Sequence, residues 1–437
     1  MLHELPCGDR PVRFPFPDSW EVASAHPRSV ATVDDLPAAA RNAVAAPISG
    51  PPLRELARGA QRVAIAITDA TRPSPDSVLL PALWEELQAA GVTADRVRII
   101  IGLGMHRVTT PEEKAARLGP LQGRFAVIDA QGGVADDYVS YDDLDPRLYS
   151  LPTAVPVRVH RAVAEADLVI ATGVVEPHQY AGFSGGRKGV AIGCAGEATI
   201  AVLHGRHFLD HPGTRLGRID GNPVHTALEA IARAAGLRFV LNVALDARGG
   251  VIAVAAGEPG PAHAHLVHRL EEVIWTPTGE GLFDAVLAGV AAPKDVNLYQ
   301  ASRAITYLAF SPEPVVREGG WLGIAARCPE GVGQGKGEEA FHQRMRAGDS
   351  PTDVMRDLRE NGFGAGGQRA YVLASALETY RGLVICAESP AMARECHLTP
   401  VADGAETVAL LRKELGADAR VLLVPHGMTT LPLRRRI

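Results

Sequence analysis

Glu176-Pro177-His178-Gln179-Tyr180-Ala181-Gly182-Phe183-Ser184-Gly185-Gly186-Arg187-Lys188-Gly189 packs one histidine, four glycines, a serine and a basic pair into fourteen residues. It comes just after Asp167-Leu168-Val169-Ile170-Ala171-Thr172-Gly173, an apolar run bounded by glycine that reads as a buried strand. Glycine has no Cβ, so a glycine-dense loop leaving a buried strand lets backbone approach a ligand closely. Arg187-Lys188 then stands where an anionic or electrophilic group would be held. A further histidine, His204, follows sixteen residues after Lys188.

Outward from this loop, eight more apolar runs read as strands: 62–68, 97–102, 125–129, 239–245, 284–290, 322–325, 383–386 and 421–424. Helical patterns lie between several of them, at 77–90, 111–118, 223–235, 352–360 and 404–415. In the last, Val408, Leu411 and Leu415 share one face at i, i+3 and i+7. Buried strands alternating with helices predict an α/β protein with mainly parallel, Rossmann-like sheets covered by helices on both faces. A chain of 437 residues exceeds one ordinary core, so two domains are expected. The boundary is placed where Gly257-Glu258-Pro259-Gly260-Pro261 and Thr276-Pro277-Thr278-Gly279-Glu280-Gly281 punctuate the chain around one short helix, giving domains 1–270 and 271–437. Glu330–Gly337 reads as a mobile loop of the second domain.

Composition excludes several classes. The net charge of −6 leaves no basic footprint for nucleic acid, and Arg434-Arg435-Arg436 is a short solvated run. No apolar stretch approaches the roughly 18–20 residues of a membrane span, and no secretory leader pattern opens the chain. Five scattered cysteines without CxxC spacing fit a reducing cytoplasm and argue against a thiolate zinc site.

Ligands of open α/β sheets bind beyond the carboxyl ends of strands, so the loops at those ends are the candidates. Thr68-Asp69-Ala70-Thr71-Arg72-Pro73-Ser74-Pro75 offers an arginine fork for a carboxylate or phosphate, or simply a local Asp–Arg turn pair. Gly102-Leu103-Gly104-Met105-His106-Arg107 brackets a histidine suited to general-base work, although loop histidines are commonly structural. These glycines do not open a GxGxxG. The 182–189 loop departs from a phosphate-binding GxxxxGK[ST], since Arg187 separates Gly186 from Lys188 and Gly189 replaces Ser or Thr. His204, His207 and His211 admit a metal, with His207 and His211 reading as polar loop residues. His263, His265 and His268 read as a solvated helix face. In Asn297-Leu298-Tyr299-Gln300-Ala301-Ser302-Arg303, a helix starting near Leu298 would put Tyr299, Gln300 and Arg303 on one exposed face.

Taken together these motifs resemble the lactate racemase family over most of the chain. Asp69, Arg72 and Pro73 match its Asp-x-x-Arg-Pro, and His106 its glycine-flanked histidine. His178, Gly182, Phe183, Ser184, Gly185, Gly186 and Lys188 match its His-x3-Gly-[FY]-Ser-Gly-Gly-x-Lys. His204 matches its metal-binding histidine, and Asn297–Gln300 its Asn-Leu-Tyr-Gln. The resemblance implies a racemase or epimerase of a 2-hydroxy acid in an interdomain cleft. It implies a nickel-pincer nucleotide tethered covalently at Lys188, with nickel bound by His204. Hydride would leave the substrate α-carbon for this cofactor and return, through a 2-keto acid. His106 and His178 would be acid/base groups on opposite faces, and Arg72 and Arg303 substrate-binding. Asp69, Thr71, Gly182, Ser184, Gly185, Gly186, Tyr299 and Gln300 would contact the cofactor. The second domain would close over the first. The implied partners are the small-molecule substrate and the enzymes that make the cofactor, with homo-oligomers open. Lactate-specific members carry lysine three residues after the glutamine where this chain has Arg303, which points to a substrate other than lactate. The competing reading is a nucleotide- or phosphate-binding protein without pincer chemistry, using 182–188 as an anion loop.

Overall fold

A computed structural model describes residues 3–364 and 366–434. Arg435 and Arg436 of the C-terminal basic run lie outside them. The chain divides into two compact units, one of residues 29–273 and one combining 1–28 with 274–437. This differs from the expected division at 270/271, because the first 28 residues join the second unit. The strand Glu4–Gly8 pairs in parallel with the end of Phe283–Ala291, and Glu21–Ser24 pairs in parallel with Arg420–Val424. Gly257-Glu258-Pro259 runs straight into a helix over Pro259–Ile274, far longer than expected, with Pro259 at a helix start where a missing N–H is tolerated.

All nine expected strands and all five expected helices are present, with ends shifted by a few residues. The unit of residues 29–273 is built on a six-stranded sheet in the order Val251–Gly257, Leu237–Leu245, Leu168–Val175, Val63–Thr68, Val97–Gly104, Ala126–Gln131. Its strands are parallel except Val251–Gly257, an antiparallel edge. Every residue of Leu168–Val175 is buried, as a strand covered on both faces requires. The core beside it gathers Ile65, Ile67, Leu79, Leu83, Ile99, Ile101, Ile170 and Phe239. From Val63–Thr68 the chain winds one way to Val97–Gly104 and Ala126–Gln131, then returns to place Leu168–Val175 on the other side. The order therefore reverses between Val63–Thr68 and Leu168–Val175. A reversal point of this kind opens a crevice at the carboxyl ends, and the loops flanking it are 69–75 and 176–188.

The other unit holds a second largely parallel sheet around Phe283–Ala291, extended on one side by Val316–Ala325, Arg381–Ile385 and Thr399–Val401. Beyond Phe283–Ala291, Asn297 caps a helix over Leu298–Ala301 through its Oδ1, which accepts from Gln300 N at 2.9 Å. Leu298 and Ala301 are buried while Tyr299, Gln300 and Arg303 are half-buried, so these three share the more open face. Ser302 continues this turn into Arg303–Ala309. The expected loop at 330–337 is a turn-rich segment ending in a helix that starts at Lys336.

Candidate functional site

Asp69 and Arg72 lie on the turn leaving Val63–Thr68, and this turn is shaped by a residue that sequence reasoning missed. The helix Pro111–Leu118 begins with a Thr110–Glu113 capping box and carries Arg117 in its last turn. The buried Arg117 guanidinium donates to the carbonyls of Asp69, Arg72 and Ser74, and to Asp76 Oδ2 at 3.2 Å. Three carbonyls of one loop thus converge on a single fork. Asp76, fully buried, also accepts from Thr172 Oγ1 at 2.6 Å and Ser74 Oγ at 2.8 Å. Burial pushes its carboxyl up, against the pull of Thr172 and Arg117.

Asp69 is buried, and its Oδ2 contacts His106 Nδ1. Its Oδ1 accepts from Thr71 N at 2.9 Å and Thr71 Oγ1 at 2.6 Å. Burial opposes the charge on Asp69, but His106 and Thr71 outweigh it and hold the carboxyl below the usual carboxylate range. Asp69 and Thr71 thus spend their polar atoms on each other and on His106. The loop bearing His106 is pinned by Arg107, whose fork grips both Glu113 oxygens at 2.9 and 2.6 Å. The Arg107 and Thr110 bonds bring the Glu113 carboxyl down to about 2. Across the crevice, Arg72 Nη1 lies 3.9 Å from Glu176 Oε1, joining the 69–75 loop to the end of Leu168–Val175.

From Glu176 the chain forms a two-rung hairpin, Pro177 opposite Phe183 and His178 opposite Gly182. His178 Nδ1 accepts from the backbone N–H groups of Tyr180 and Ala181, both at 3.2 Å. The Tyr180 ring meets His178 edge-on at 5.6 Å and His204 edge-on at 5.5 Å, so the three rings form one row. Lys188 ends a helical turn, Gly186–Lys188, that widens into a π-helical turn over Gly189–Gly193 closed by Cys194 N to Gly189 O at 3.0 Å. Such turns recur at functional sites. The His106-bearing strand packs backbone to backbone on it, for a Cβ at Gly102 would stand 2.9 Å from Gly189 O.

The loop glycines sit tightly against their surroundings. A Cβ on Gly182, at φ +75°, would meet Arg218 O at 2.1 Å. On Gly185 it would meet the His263 ring, and on Gly186 Asn242 Oδ1, both at 2.8 Å. The space a side chain would take is filled by the protein itself, so only glycine fits these three positions. Ser184 is likewise engaged, its hydroxyl donating to Val174 O at 2.7 Å and accepting from Glu176 N at 3.1 Å.

His263 corrects the reading of 263–268 as a solvated face. His263 is buried and its Nε2 donates to Ser184 O at 2.8 Å, while His265 and His268 are exposed. Burial, then the nearby Arg187 charge, drives its pKa well below the ordinary 6.5. Arg187 points inward too, donating to His225 Nδ1 at 2.8 Å. Period-3.6 patterning hides both, because a histidine or arginine scores as polar wherever it points.

His204 Nδ1 donates to Ile200 O at 2.8 Å, which leaves the Nε2 lone pair as a ligand. Burial leads in lowering its pKa to about 4, with Lys188 adding and the Ile200 bond opposing, so the ring is neutral at pH 7. His207 is exposed on the short helix Arg206–Leu209 rather than in a loop, and His211 Nδ1 accepts from Gly213 N. Among the described residues no three His, Cys, Asp or Glu side chains gather around a common point. A metal at His204 would therefore draw its other donors from a bound molecule, the donor set a pincer cofactor offers. All five cysteines are free, and no helix among the described residues is long and apolar enough to cross a membrane.

The chain is similar to known proteins along most of its length. Residues 7–217 match the lactate racemase N-terminal domain and residues 284–431 the lactate racemase C-terminal domain. The lactate racemase of Thermoanaerobacterium thermosaccharolyticum is 27% identical over 438 residues, covering 98% of each chain. That of Lactiplantibacillus plantarum is 32% identical over 310 residues, 71% of this chain and 69% of its own. The structure of the lactate racemase apoprotein from T. thermosaccharolyticum aligns at a TM-score of 0.87 and 26% identity over the whole of both chains. A Thermotoga maritima protein shares the fold at 18% identity, with a TM-score of 0.63 over 88% of this chain and 98% of that one. The chain belongs to the lactate racemase family.

Proposed function

We propose that this member of the lactate racemase family interconverts the configurations of a 2-hydroxy acid larger or more polar than lactate. Family membership carries the coarser statement: an isomerase of 2-hydroxy acids dependent on a nickel-pincer nucleotide. The row His178–Tyr180–His204 beside Lys188, at the reversal point of the sheet, is the observation that best supports it. A nickel-pincer cofactor bound here would supply reversible hydride-acceptor chemistry.

The residues supply the rest. Lys188 would be the tether, and His204 would offer Nε2 to the metal. The Arg72 fork binds the substrate carboxylate, exchanging its loose contact with Glu176 for a bidentate one. His106 and His178 attend the substrate hydroxyl, whose proton must leave as the carbon is oxidised and return as it is reduced. Gly182, Ser184, Gly185 and Gly186 fix the backbone on which Lys188 stands. Arg303 is a planar fork where lysine would be a point charge, which favours a second carboxylate or a polyhydroxy chain. Dicarboxylic, aromatic and sugar 2-hydroxy acids are the candidate classes. Turnover of matured holoenzyme on a panel of single enantiomers tests this, and a preference for lactate over all others would refute the substrate assignment.

A further inference from the structure

We propose that Cys386 and Cys7 form an oxidation site, in which a hydroperoxide oxidises Cys386 and Cys7 resolves it into a reversible disulfide. The site is separate from the racemase chemistry and stands without it. Cys7 lies in the strand Glu4–Gly8 and is buried in the same core as Ile385. Cys386 packs against that core just past the strand Arg381–Ile385, where its left-handed φ of +65° ends the strand. The guanidinium of Arg327 ties the two segments together. Its Nη1 donates to Asp9 Oδ1 at 3.1 Å, two residues after Cys7, and its Nη2 donates to Glu388 Oε1 at 2.7 Å, two residues after Cys386. The Arg327 carbonyl also accepts from Glu388 N at 2.8 Å. Gly8 is wedged beside this fork, since a Cβ there would meet Asp295 Oδ2 and stand 3.4 Å from Arg327 Cδ. Within the clamp, the Cys7 thiol donates its proton to the sulfur of Cys386.

The two thiols differ as an attacking and a resolving cysteine must. Cys386 is half-buried, and the hydrogen bond from Cys7 holds its pKa below the ordinary thiol value. The Arg327 charge assists, against burial and the charge of Asp403. Thiolate is the nucleophilic form, so Cys386 attacks. The same bond, then burial and the Asp295 charge, push Cys7 up, and the shared proton stays there. Burial pushes Cys194, Cys328 and Cys396 up to about 12 each, which leaves them unreactive.

The oxidation balances in two steps. The Cys386 thiolate attacks a peroxide oxygen, the O–O bond breaks, and a sulfenic acid and hydroxide form. The Cys7 sulfur then attacks the Cys386 sulfur, the S–O bond breaks, and hydroxide leaves with the Cys7 proton as water. Two electrons pass from the sulfur pair to the peroxide. A dithiol reverses the bond by exchange, so in a reducing compartment it is transient.

Thiol titration and peptide mapping of the purified full-length protein decide it. After equimolar hydrogen peroxide, two of the five thiols should be lost on titration of the unfolded chain, and dithiothreitol should restore both. Mass spectrometry of a non-reducing digest should find the Cys7 peptide joined to the Cys386 peptide. Cys7→Ser should stop at a sulfenic acid on Cys386, trapped by dimedone, and Cys386→Ser should leave Cys7 reduced. Retention of all five thiols by the wild type, or a disulfide through any other cysteine or between chains, would overturn the proposal whether or not the variants fold. A folded Cys7→Ser protein with no dimedone adduct on Cys386 would overturn it as well.

Discussion

Gly182→Ala adds one methyl group at the hinge between His178 and Lys188, and its effect can be worked from the backbone. At φ +75° an alanine is left-handed, costing about 1–2 kcal/mol. Its Cβ would stand 2.1 Å from Arg218 O, so one of the two backbones must yield by about 1 Å, an overpacking strain of about 1–3 kcal/mol. The total, about 2–5 kcal/mol, raises the local opening equilibrium about thirty- to several-thousand-fold. The strain has a route outward. Arg218 O also accepts from Asn222 Nδ2 at 3.0 Å, and Asn222 Oδ1 caps the Pro223–Ala234 helix at Val224 N and His225 N. His225 in turn accepts from Arg187, next to Lys188. Amide hydrogen exchange of the wild type and the variant reads this directly. Gly217 N–H, bonded to Gly182 O at 2.9 Å, and Ser184 N–H should lose protection, while Val63–Thr68 should keep it. Wild-type exchange at Gly217 in a folded variant would refute the packing argument.

Arg117→Met leaves three loop carbonyls and buried Asp76 without their donor, so about 3–5 kcal/mol of stability should go, read as a lower urea midpoint of the 29–273 unit. Arg72→Lys should weaken substrate binding more than turnover, visible as a raised KM in holoenzyme. Intact mass of matured protein should exceed the chain mass by a nucleotide-sized adduct that Lys188→Ala abolishes. His263 is buried neutral with a depressed pKa, so the unfolded chain takes up a proton there first. Its contribution is complete above the ordinary value of 6.5 and is lost as pH falls below it. The urea midpoint should therefore drop between pH 7.5 and 5, and less steeply in His263→Gln, which keeps an N–H for Ser184 O.

Much of the architecture was legible because buried parallel strands are nearly unbroken apolar runs. Leu168–Val175 and Val63–Thr68 need no partner to be recognised, and the loops behind them mark the site. The N-terminal strands were not legible. Glu4–Gly8 and Arg10–Arg13 are short, contain Pro6 and Pro11, and carry charged residues, with Arg10–Arg13 at the sheet edge. Nothing local says that their partner lies nearly 300 residues away, at Val290. The candidate histidines and Lys188 were found by their glycine-rich surroundings. Arg117, Arg187 and His263 were missed because their role depends on which way a polar side chain turns. Arg117 had one faint signal, an arginine ending a helix that opens with the Thr110-x-x-Glu113 capping pattern.

The pairing of Glu21–Ser24 with Arg420–Val424 has a consequence for biosynthesis. The ribosome delivers the first strand of that sheet long before its last, and residues 29–273 emerge complete in between. The inner unit can therefore assemble while translation proceeds, whereas Glu21–Ser24 stays unpaired until Arg420–Val424 has been made. A substitution in either strand would strike the same sheet, from two distant stretches of the message.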